Sequence, residues 1–379
     1  MNEGRRRVAT DARAPQGAPP RAHAWQDAPA GRPDRPALFR ADILGAPESL
    51  GRLLDSADGP AVLGALDDPA IATALNAVRR VGLVGMGSSR FAALTAARFF
   101  RDAGLPVEVE LGSTSQPILP DPELLVVGVS SSGSTTEVVA AARRHQGRAA
   151  LVLGVTNRPG SPLAGAVELT LPLLAGEETA GIACRTYGAS VAALILLAGR
   201  LGARRIAGGA GDPGRPDRLG PGCDDLRRAL PILSEVLDGG DAWLPWAVDL
   251  LDGAPAIHVL GDAGRFGSVE QAALMLREAP RLPATAFDAG DWLHVGLYTA
   301  LPGTRVVLFA GTPYDAEVAR VVRERGAELL AIGRRVDGAA LSLEYPGADD
   351  PLVAALVETP IVELLAAELW DGASATELP

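Results

Sequence analysis

Residues Leu124–Thr136 have the sequence LLVVGVSSSGSTT, an apolar run that ends abruptly in serine, glycine and threonine. The first six residues predict a strand that is buried on both faces, because no polar side chain interrupts them. The residues from Glu137 to His145 predict a helix. An apolar strand, a short polar turn and a helix form the repeating unit of a parallel sheet covered by helices on both faces. This stretch therefore indicates an α/β fold.

The same alternation extends through the first half of the chain. Two or three short helices are expected between Leu38 and Val78, where apolar residues recur at helical spacing. Further strands are predicted at Val81–Val84, Val107–Glu110, Ala150–Val155 and Val167–Leu171, and further helices at Ser89–Asp102 and Arg185–Leu201.

After a Gly/Pro/Asp-rich segment the alternation begins again with AIHVL at Ala256–Leu260. A helix is predicted to start at Thr312 as its cap, with Pro313 in its first position. We expect two similar α/β domains, each a mainly parallel sheet flanked by helices. The predicted segments are a disordered tail over 1–36, N-terminal helices and the first domain over 37–207, a linker over 208–222, and a second domain with a closing helix over 223–379.

The composition excludes several classes of function. The net charge of −11 and the 4% of aromatic residues make binding to nucleic acid or to an anionic membrane a poor prospect. All 35 basic residues are arginine, so the chain has no lysine for a Schiff base, a pyridoxal-phosphate anchor or a P-loop. We predict no cofactor.

The cysteines and histidines do not have the spacing of a metal site. Cys184 and Cys223 are too few for a disulfide framework, and no histidine is paired with another at metal-binding spacing. His258 is predicted to be a core residue, Cys184 a buried thiol and His145 a surface residue. The apolar stretch Ala189–Gly199 is too short to span a bilayer, and no secretory signal is apparent, so we expect a cytoplasmic protein.

The serine-rich turn after Val129 is the first candidate binding site. It lies where a buried parallel strand ends and a helix begins, and free backbone N–H groups and the helix dipole favour an anion there. The hydroxyls suit a phosphate monoester, and the glycine allows a tight turn. The alternative is an ordinary helix cap with a polar loop. The candidate residues are Ser130, Ser131, Ser132, Gly133 and Thr135.

A second turn, GMGSS at Gly85–Ser89, follows the first predicted strand. Ser88 and Ser89 are expected to cap the next helix and to offer hydroxyl donors. A dinucleotide site would need a third glycine and an acidic residue after the second strand, and neither is present. Two serine-lined strand ends in one sheet predict a single crevice at its carboxyl edge.

Glu278 and His294 are the candidate catalytic residues. Glu278 ends an otherwise apolar helix, so partial burial is expected to raise its pKa and favour its use as a base. His294 lies in AGDWLH, beside a turn. A carboxylate and an imidazole suit sugar isomerisation, in which one group opens the ring and the other carries a proton between adjacent carbons. The alternatives are a solvated surface glutamate and a structural histidine.

From about Val78 to Leu369 the chain resembles the tandem SIS (sugar isomerase) proteins, including the isomerase half of glucosamine-6-phosphate synthase and related phosphosugar deaminases and deglycases. The family's GTS turn and S-x-S-G-x-T loop are similar to GMGS and SSSGST here. The family's K-L-K-E and A-G-E-L-K-H are similar to MLRE at Glu278 and AGDWLH at His294. The resemblance implies a phosphosugar held by the serines, proton transfer by Glu278 and ring opening by His294.

The resemblance also implies a homodimer, because relatives often build the site with a histidine from the neighbouring subunit. Two departures are evident. The synthases have a glutaminase domain that begins with a cysteine, which we expect to be missing here, and Met275 replaces a lysine of the family helix. Arg185 is a candidate cation near the substrate.

The expected function is therefore a phosphosugar isomerase, deaminase or deglycase acting on a phosphorylated sugar or amino sugar. The alternative is a non-catalytic protein that senses a phosphosugar.

Overall fold

The computed structural model describes residues 35–57, 62–207 and 220–375. The predicted tail lies outside these ranges, except for its last two residues, which are the first two residues of the first described helix. The predicted linker lies outside them over residues 208–219. The tail and the linker, like the domain boundaries that they define, stay predictions.

The first half forms a five-stranded parallel sheet with strand order β2-β1-β3-β4-β5. Strands β1, β3 and β4 are buried along almost their whole length, as their continuous apolar sequences predict. The strands are β1 (Arg80–Gly85), β2 (Val107–Leu111), β3 (Leu124–Val129), β4 (Leu151–Thr156) and β5 (Leu169–Pro172). The helices are α1 (Arg35–Leu44), α2 (Ala46–Ser56), α3 (Pro69–Ala77), α4 (Ser88–Asp102), α5 (Thr136–His145) and α6 (Arg185–Ala207).

The second half forms another five-stranded parallel sheet, with strand order β10-β9-β8-β6-β7. Counted from its own first strand, this is the order of the first sheet, so the predicted duplication of an α/β unit is confirmed. The strands are β6 (Ile257–Gly261), β7 (Ala284–Asp288), β8 (Arg305–Phe309), β9 (Glu328–Gly333) and β10 (Leu341–Glu344). The helices are α7 (Cys223–Arg227), α8 (Ala229–Asp238), α9 (Gly240–Leu251), α10 (Phe266–Glu278), α11 (Ala289–Trp292), α12 (Asp315–Glu324) and α13 (Pro351–Ala375).

The two sheets share one hydrophobic core. Helices α4 and α6 pack on the first sheet, α10 and α13 pack on the second, and α4 contacts α10 while α6 contacts α13. The crossing of α10 over α4 is close: a Cβ on Gly267 would lie 2.2 Å from the carbonyl oxygen of Phe91. These four helices lie between the two sheets, and their contacts fix the position of one sheet relative to the other.

Two local predictions need correction. Helix α12 begins at Asp315 and not at Thr312, because the Asp315 carboxylate accepts hydrogen bonds from the backbone N–H groups of Gly311 and Thr312 and so makes a turn before the helix. His145 is 1% exposed, so its assignment to the surface is wrong, and burial lowers its pKa. The core assignment of His258 and the buried thiol of Cys184 are confirmed.

Helix α6 corrects the sequence-based estimate of apolar length. Within the described ranges it is the one helix long and apolar enough to cross a membrane, by length and composition alone. It continues past both ends of Ala189–Gly199. However, 83% of its most apolar window is buried inside the fold, which is the environment of a core helix. Burial, and not insufficient length, therefore explains its apolar sequence.

Candidate active site

The serine-rich loop joins β3 to the N-terminus of α5, as its sequence predicts. Ser130 is 2% exposed, and its hydroxyl lies 2.9 Å from that of Thr135 and accepts a hydrogen bond from the Gly133 N–H at 3.1 Å. Ser132 is exposed, and its hydroxyl accepts hydrogen bonds from the backbone N–H and the hydroxyl of Ser134. The loop thus presents hydroxyls beside the positive end of a ten-residue helix.

Gly133 makes this loop conformation available. Its φ is +63°, in the left-handed region that favours glycine. A Cβ at this position would lie 2.0 Å from the Ser161 hydroxyl oxygen and 2.8 Å from that of Thr156. The loop is therefore packed against the segment that follows β4, and its shape is fixed by contacts on both sides.

Ser88 and Ser89 lie at the neighbouring strand end. Strands β1 and β3 are paired in parallel, so their carboxyl ends lie side by side at one edge of the sheet, about 4.8 Å apart. The expectation that these serines cap α4 was wrong. The cap is Gly87, with φ +50°, and no side chain completes it. The described residues make no hydrogen bond to either serine hydroxyl, which leaves both available to a ligand.

Glu278 ends α10 and is half-buried. Burial raises its pKa, the positive charge of Arg35 lowers it, and the negative charge of Glu178 raises it. On balance the pKa of Glu278 is raised from its ordinary value, as the apolar helix predicted. A carboxylate in this setting is a stronger base than one in water.

Glu178 was not identified from the sequence. Its carboxylate accepts hydrogen bonds from the backbone N–H of Cys184 at 2.7 Å and from the N–H and hydroxyl of Thr186 at 3.0 and 2.9 Å. It therefore fixes the entry into α6 and places its own charge beside Glu278. An acidic residue shortly before a long helix is a helix-start signal that could have revealed it.

Hydrogen bonds of Asn157 connect the serine loop to the segment between β5 and α6, which contains Glu178. The backbone N–H of Asn157 donates to the carbonyl of Ser131 at 3.0 Å, and the Asn157 side chain donates to the carbonyl of Gly176 at 2.6 Å. Residues 174–184, between β5 and α6, thus extend from the serine loop towards Glu278. No direct hydrogen bond joins Glu278 to the candidate serines within the described part of the chain.

Arg185 is bound by other protein groups. Its guanidinium donates to the carboxylate of Asp42, which is 3% exposed, at 2.5 Å, and to the carbonyl of Glu177. This ion pair ties α1 to the start of α6. A role for Arg185 at the substrate stays a prediction.

His294 lies apart from Glu278 within one chain. It follows α11 at the carboxyl end of β7 and is exposed, whereas Glu278 precedes the amino end of the same strand. Exposed apolar side chains follow it: Val295 is 53% exposed, Tyr298 69% and Leu301 59%. The structure therefore does not bring the predicted Glu/His pair together in a single copy.

At the matching edge of the second sheet, a buried arginine binds the backbone carbonyls at the end of a strand. The guanidinium of Arg265 donates to the carbonyls of Phe309 and Ala310, at the end of β8, and pairs with the buried carboxylate of Glu358. The turn that follows β8 contains no serine, so within the described chain the serine-rich loop has no counterpart of the same composition at this position.

A cavity lies beside the serine loop. Its volume is about 630 Å³, and it opens between α2 and the loops that follow β4 and β5. Its lining residues are Arg52, Asp55, Ser56, Asn157, Arg158, Leu174, Gly176 and Glu177. Its lining residue Asn157 is hydrogen-bonded to the serine loop, but none of the candidate serines lines the cavity. No group of three His, Cys, Asp or Glu residues is placed to bind a metal within the described ranges.

The sequence is similar to that of known proteins. The family model of the SIS domain matches residues 74–199. The isomerizing glutamine–fructose-6-phosphate aminotransferase of Symbiobacterium thermophilum is 31% identical over 303 residues, which are 76% of this chain and 47% of that protein. The chain spans about half the length of the curated relatives it matches.

Solved structures share the fold over both sheets. The C-terminal domain of glucosamine-fructose-6-phosphate aminotransferase from Francisella tularensis has a TM-score of 0.73 at 18% identity, covering 88% of this chain and 96% of that chain. Tagatose-6-phosphate ketose/aldose isomerase from Escherichia coli has a TM-score of 0.72 at 18% identity, covering 90% and 94%. Residues 74–199 match the SIS domain, and with its duplicated parallel sheet the chain resembles the tandem SIS (sugar isomerase) proteins.

Proposed function

We propose that this protein is an enzyme that opens the ring of a phosphorylated sugar or amino sugar and transfers a proton between C1 and C2. The observation that supports it most is the polar edge of the first sheet. There a hydroxyl loop at a helix N-terminus is hydrogen-bonded through Asn157 to the segment of residues 174–184, and the charge of Glu178 in that segment acts on the half-buried Glu278. An anion site and a base with a raised pKa are the two parts that such chemistry needs.

In this mechanism the phosphate is held by hydroxyls and by free N–H groups of α5. The proposed phosphate ligands are Ser88, Ser89, Ser130, Ser131, Ser132 and Thr135, with Gly133 shaping the loop. Glu278, as carboxylate, takes the proton from one carbon and returns it to the neighbouring carbon, through an enediol or, for an amino sugar, an enolamine. The proton and the electron pair both stay within the substrate and Glu278, so the transfer needs no cofactor.

His294 is proposed to open the ring from a second copy of the chain. This follows from its exposure, and from its place at the far end of β7 from Glu278. The apolar side chains of Val295, Tyr298 and Leu301 beside it would be covered in a homodimer. We expect this dimer to act in the cytoplasm on a small phosphorylated substrate, without nucleic acid or membrane.

Three reactions share this chemistry: aldose–ketose isomerisation, deamination of an amino sugar phosphate, and release of an amine from a sugar-phosphate adduct. The solved neighbour from Escherichia coli is named as a ketose/aldose isomerase, which makes isomerisation the first reaction to assay. The exposed His294 also favours one other function, binding of a phosphosugar without turnover.

A panel of sugar and amino sugar phosphates separates these functions. Each compound is first tested for a shift of the melting temperature, and those that bind are then assayed for product. We expect a shift and product with the same compound. A shift without any product would favour sensing, and no shift with any phosphosugar would contradict the proposal.

A further inference from the structure

A chain without lysine must supply every fixed positive charge of a site with arginine, apart from protonated histidine and the amino terminus. In the proposed reaction a carboxylate removes a proton while negative charge develops on the neighbouring oxygen. A nearby cation would favour both the ionised base and the developing charge. The structure places one arginine in this position.

We propose that Arg35, the first residue of α1, is a positioning residue of the active site, which holds the loop of residues 177–184 in place and supplies the positive charge beside Glu278. This inference rests on the proposed function, and it adds to it a residue from outside the family's serine, glutamate and histidine motifs. Arg35 lies in a segment that the sequence assigned to the disordered tail.

The contacts of Arg35 come from three separate parts of the chain. One terminal nitrogen donates to the carbonyl of Ala180 at 3.0 Å, and the guanidinium lies 5.5 Å from the ring centroid of Trp370, near the end of α13. Gly181 lies against the same nitrogen, since a Cβ there would be 4.0 Å from it. A guanidinium held on two sides by a carbonyl and an aromatic ring has a defined position.

Arg35 provides positive charge to a part of the structure that is otherwise rich in carboxylates. The positive charge of Arg35, on α1, lowers the pKa of Glu278, and the negative charge of Glu178, in the loop before α6, raises it. Glu178 is in turn influenced by Asp42 on α1, and Glu363 on α13 is influenced by Glu178. Among the described residues, Arg35 is the cation that lowers the pKa of Glu278, whereas burial and the carboxylate of Glu178 raise it. Loss of its charge would raise the pKa of Glu278 further and leave less of the base ionised at neutral pH.

Arg40 provides a matched control on the same helix. Its guanidinium pairs with Glu368 at 2.5 Å and lies 3.8 Å from Asp241, whereas the charges that shift the pKa of Glu278 are those of Arg35 and Glu178. Removing its charge removes an ion pair between α1 and α13, as removing Arg35 removes a contact between the same helices, but it leaves the surroundings of Glu278 unchanged.

The test compares Arg35→Gln, Arg35→Met, Arg35→Lys and Arg40→Met. Glutamine keeps a donor for Ala180 but no charge, methionine keeps neither, and lysine keeps the charge. Two readouts are used: the pH dependence of kcat/KM, and the pKa of Glu278 measured by NMR with ¹³C-labelled glutamate carboxyls and assigned with Glu278→Gln. The second readout does not depend on turnover.

We expect both neutral variants to raise the pKa of Glu278, and to move the acid limb of the pH profile upward, by roughly half a pH unit or more. Arg35→Lys should restore most of this shift, and Arg40→Met should show none. If the pKa of Glu278 were the same in Arg35→Gln, in Arg40→Met and in the unmodified protein, the inference would be overturned. If no phosphosugar is turned over by any form, the proposed function fails, while the NMR titration still decides the role of Arg35.

Discussion

Glu278 and His294 lie at opposite ends of β7: the first precedes Ala284 and the second follows Asp288. Five residues of strand correspond to roughly 13 Å at about 3.3 Å per residue. Both residues match the family's catalytic motifs, yet one copy of the chain separates them. An arrangement in which each site combines Glu278 of one copy with His294 of another reconciles the motif with the geometry.

Mixed dimers test this arrangement. Glu278→Gln and His294→Ala should each be inactive alone, because each removes one catalytic group from every site. After the two variants are unfolded, mixed and refolded in equal amounts, half of the dimers carry both changes and each of these has one intact site. We therefore expect recovery of about a quarter of the normal activity.

The mixing experiment has a simple control. His258→Asn, at the buried histidine that accepts a hydrogen bond from Trp292, lies outside the proposed site and should not complement Glu278→Gln beyond its own activity. No recovery on mixing Glu278→Gln with His294→Ala, with dimers confirmed by sedimentation, would rule out a shared site.

Gly133→Ala should damage both the fold and binding of a phosphosugar. The substitution places a Cβ 2.0 Å from the Ser161 hydroxyl oxygen at a φ of +63°, so the loop must move. Gly147→Ala is the matched control, because its φ is +67° and no atom lies within 4 Å of the new Cβ. The control should lose about 1 kcal/mol of stability from backbone strain alone and keep its affinity.

Melting temperatures and isothermal titration measure the two effects. If Gly133→Ala bound the phosphosugar as tightly as Gly147→Ala, the loop would not be the phosphate site.

Ser130→Ala should weaken phosphosugar binding while the protein remains folded. It removes the hydroxyl that bonds to Thr135 and accepts from the Gly133 N–H. The loss of about 1 kcal/mol corresponds to roughly fivefold in Kd. Ser134→Ala, at an exposed hydroxyl of the same loop, should change Kd less than twofold. Equal affinities of the two variants, measured by titration, would argue against Ser130 as a ligand.

Glu363→Gln should make thermal stability less dependent on pH. Burial raises the pKa of Glu363 to about 8, well above its ordinary value. The folded state therefore favours the protonated form, and this stabilisation is complete below the ordinary pKa of a glutamate and is lost as the pH rises through about 8. The melting temperature of the unmodified protein should fall between pH 5 and pH 9 more steeply than that of the variant.

The control for Glu363 is Glu368→Gln on the same helix, where the side chain is 41% exposed and paired with Arg40. It should keep the original pH slope, measured by calorimetry across the range. Identical slopes for Glu363→Gln and Glu368→Gln would show that Glu363 is ionised in the folded protein.

Sequence patterns predicted the elements whose signals are local. The continuous apolar run Leu124–Val129 predicts a strand buried on both faces, and the strand forms as expected. The repeated alternation of strands and helices likewise predicts two parallel sheets. The spacing of Phe39 and Ile43 predicts their burial in α1.

Local sequence patterns could not predict the long-range contacts of the fold. Arg185 pairs with Asp42, 143 positions earlier in the chain, and Arg35 reaches Ala180, 145 positions later. No local period distinguishes these arginines from solvated ones. His145 ends a basic helix and has the pattern of a surface residue, but tertiary packing buries it. The hydrogen bond from the Thr312 N–H to the Asp315 carboxylate forms a short turn in place of the predicted helix cap, so α12 starts at Asp315.

The most direct test of the central claim is deuterium incorporation at C2 of a bound phosphosugar in deuterated water, followed by NMR or mass spectrometry. The unmodified protein should exchange this hydrogen. Glu278→Gln should slow the exchange by at least ~100-fold while still binding the compound, and Glu270→Gln, on the same helix, should exchange normally. Undiminished exchange in Glu278→Gln would contradict the assignment of Glu278 as the group that moves the proton.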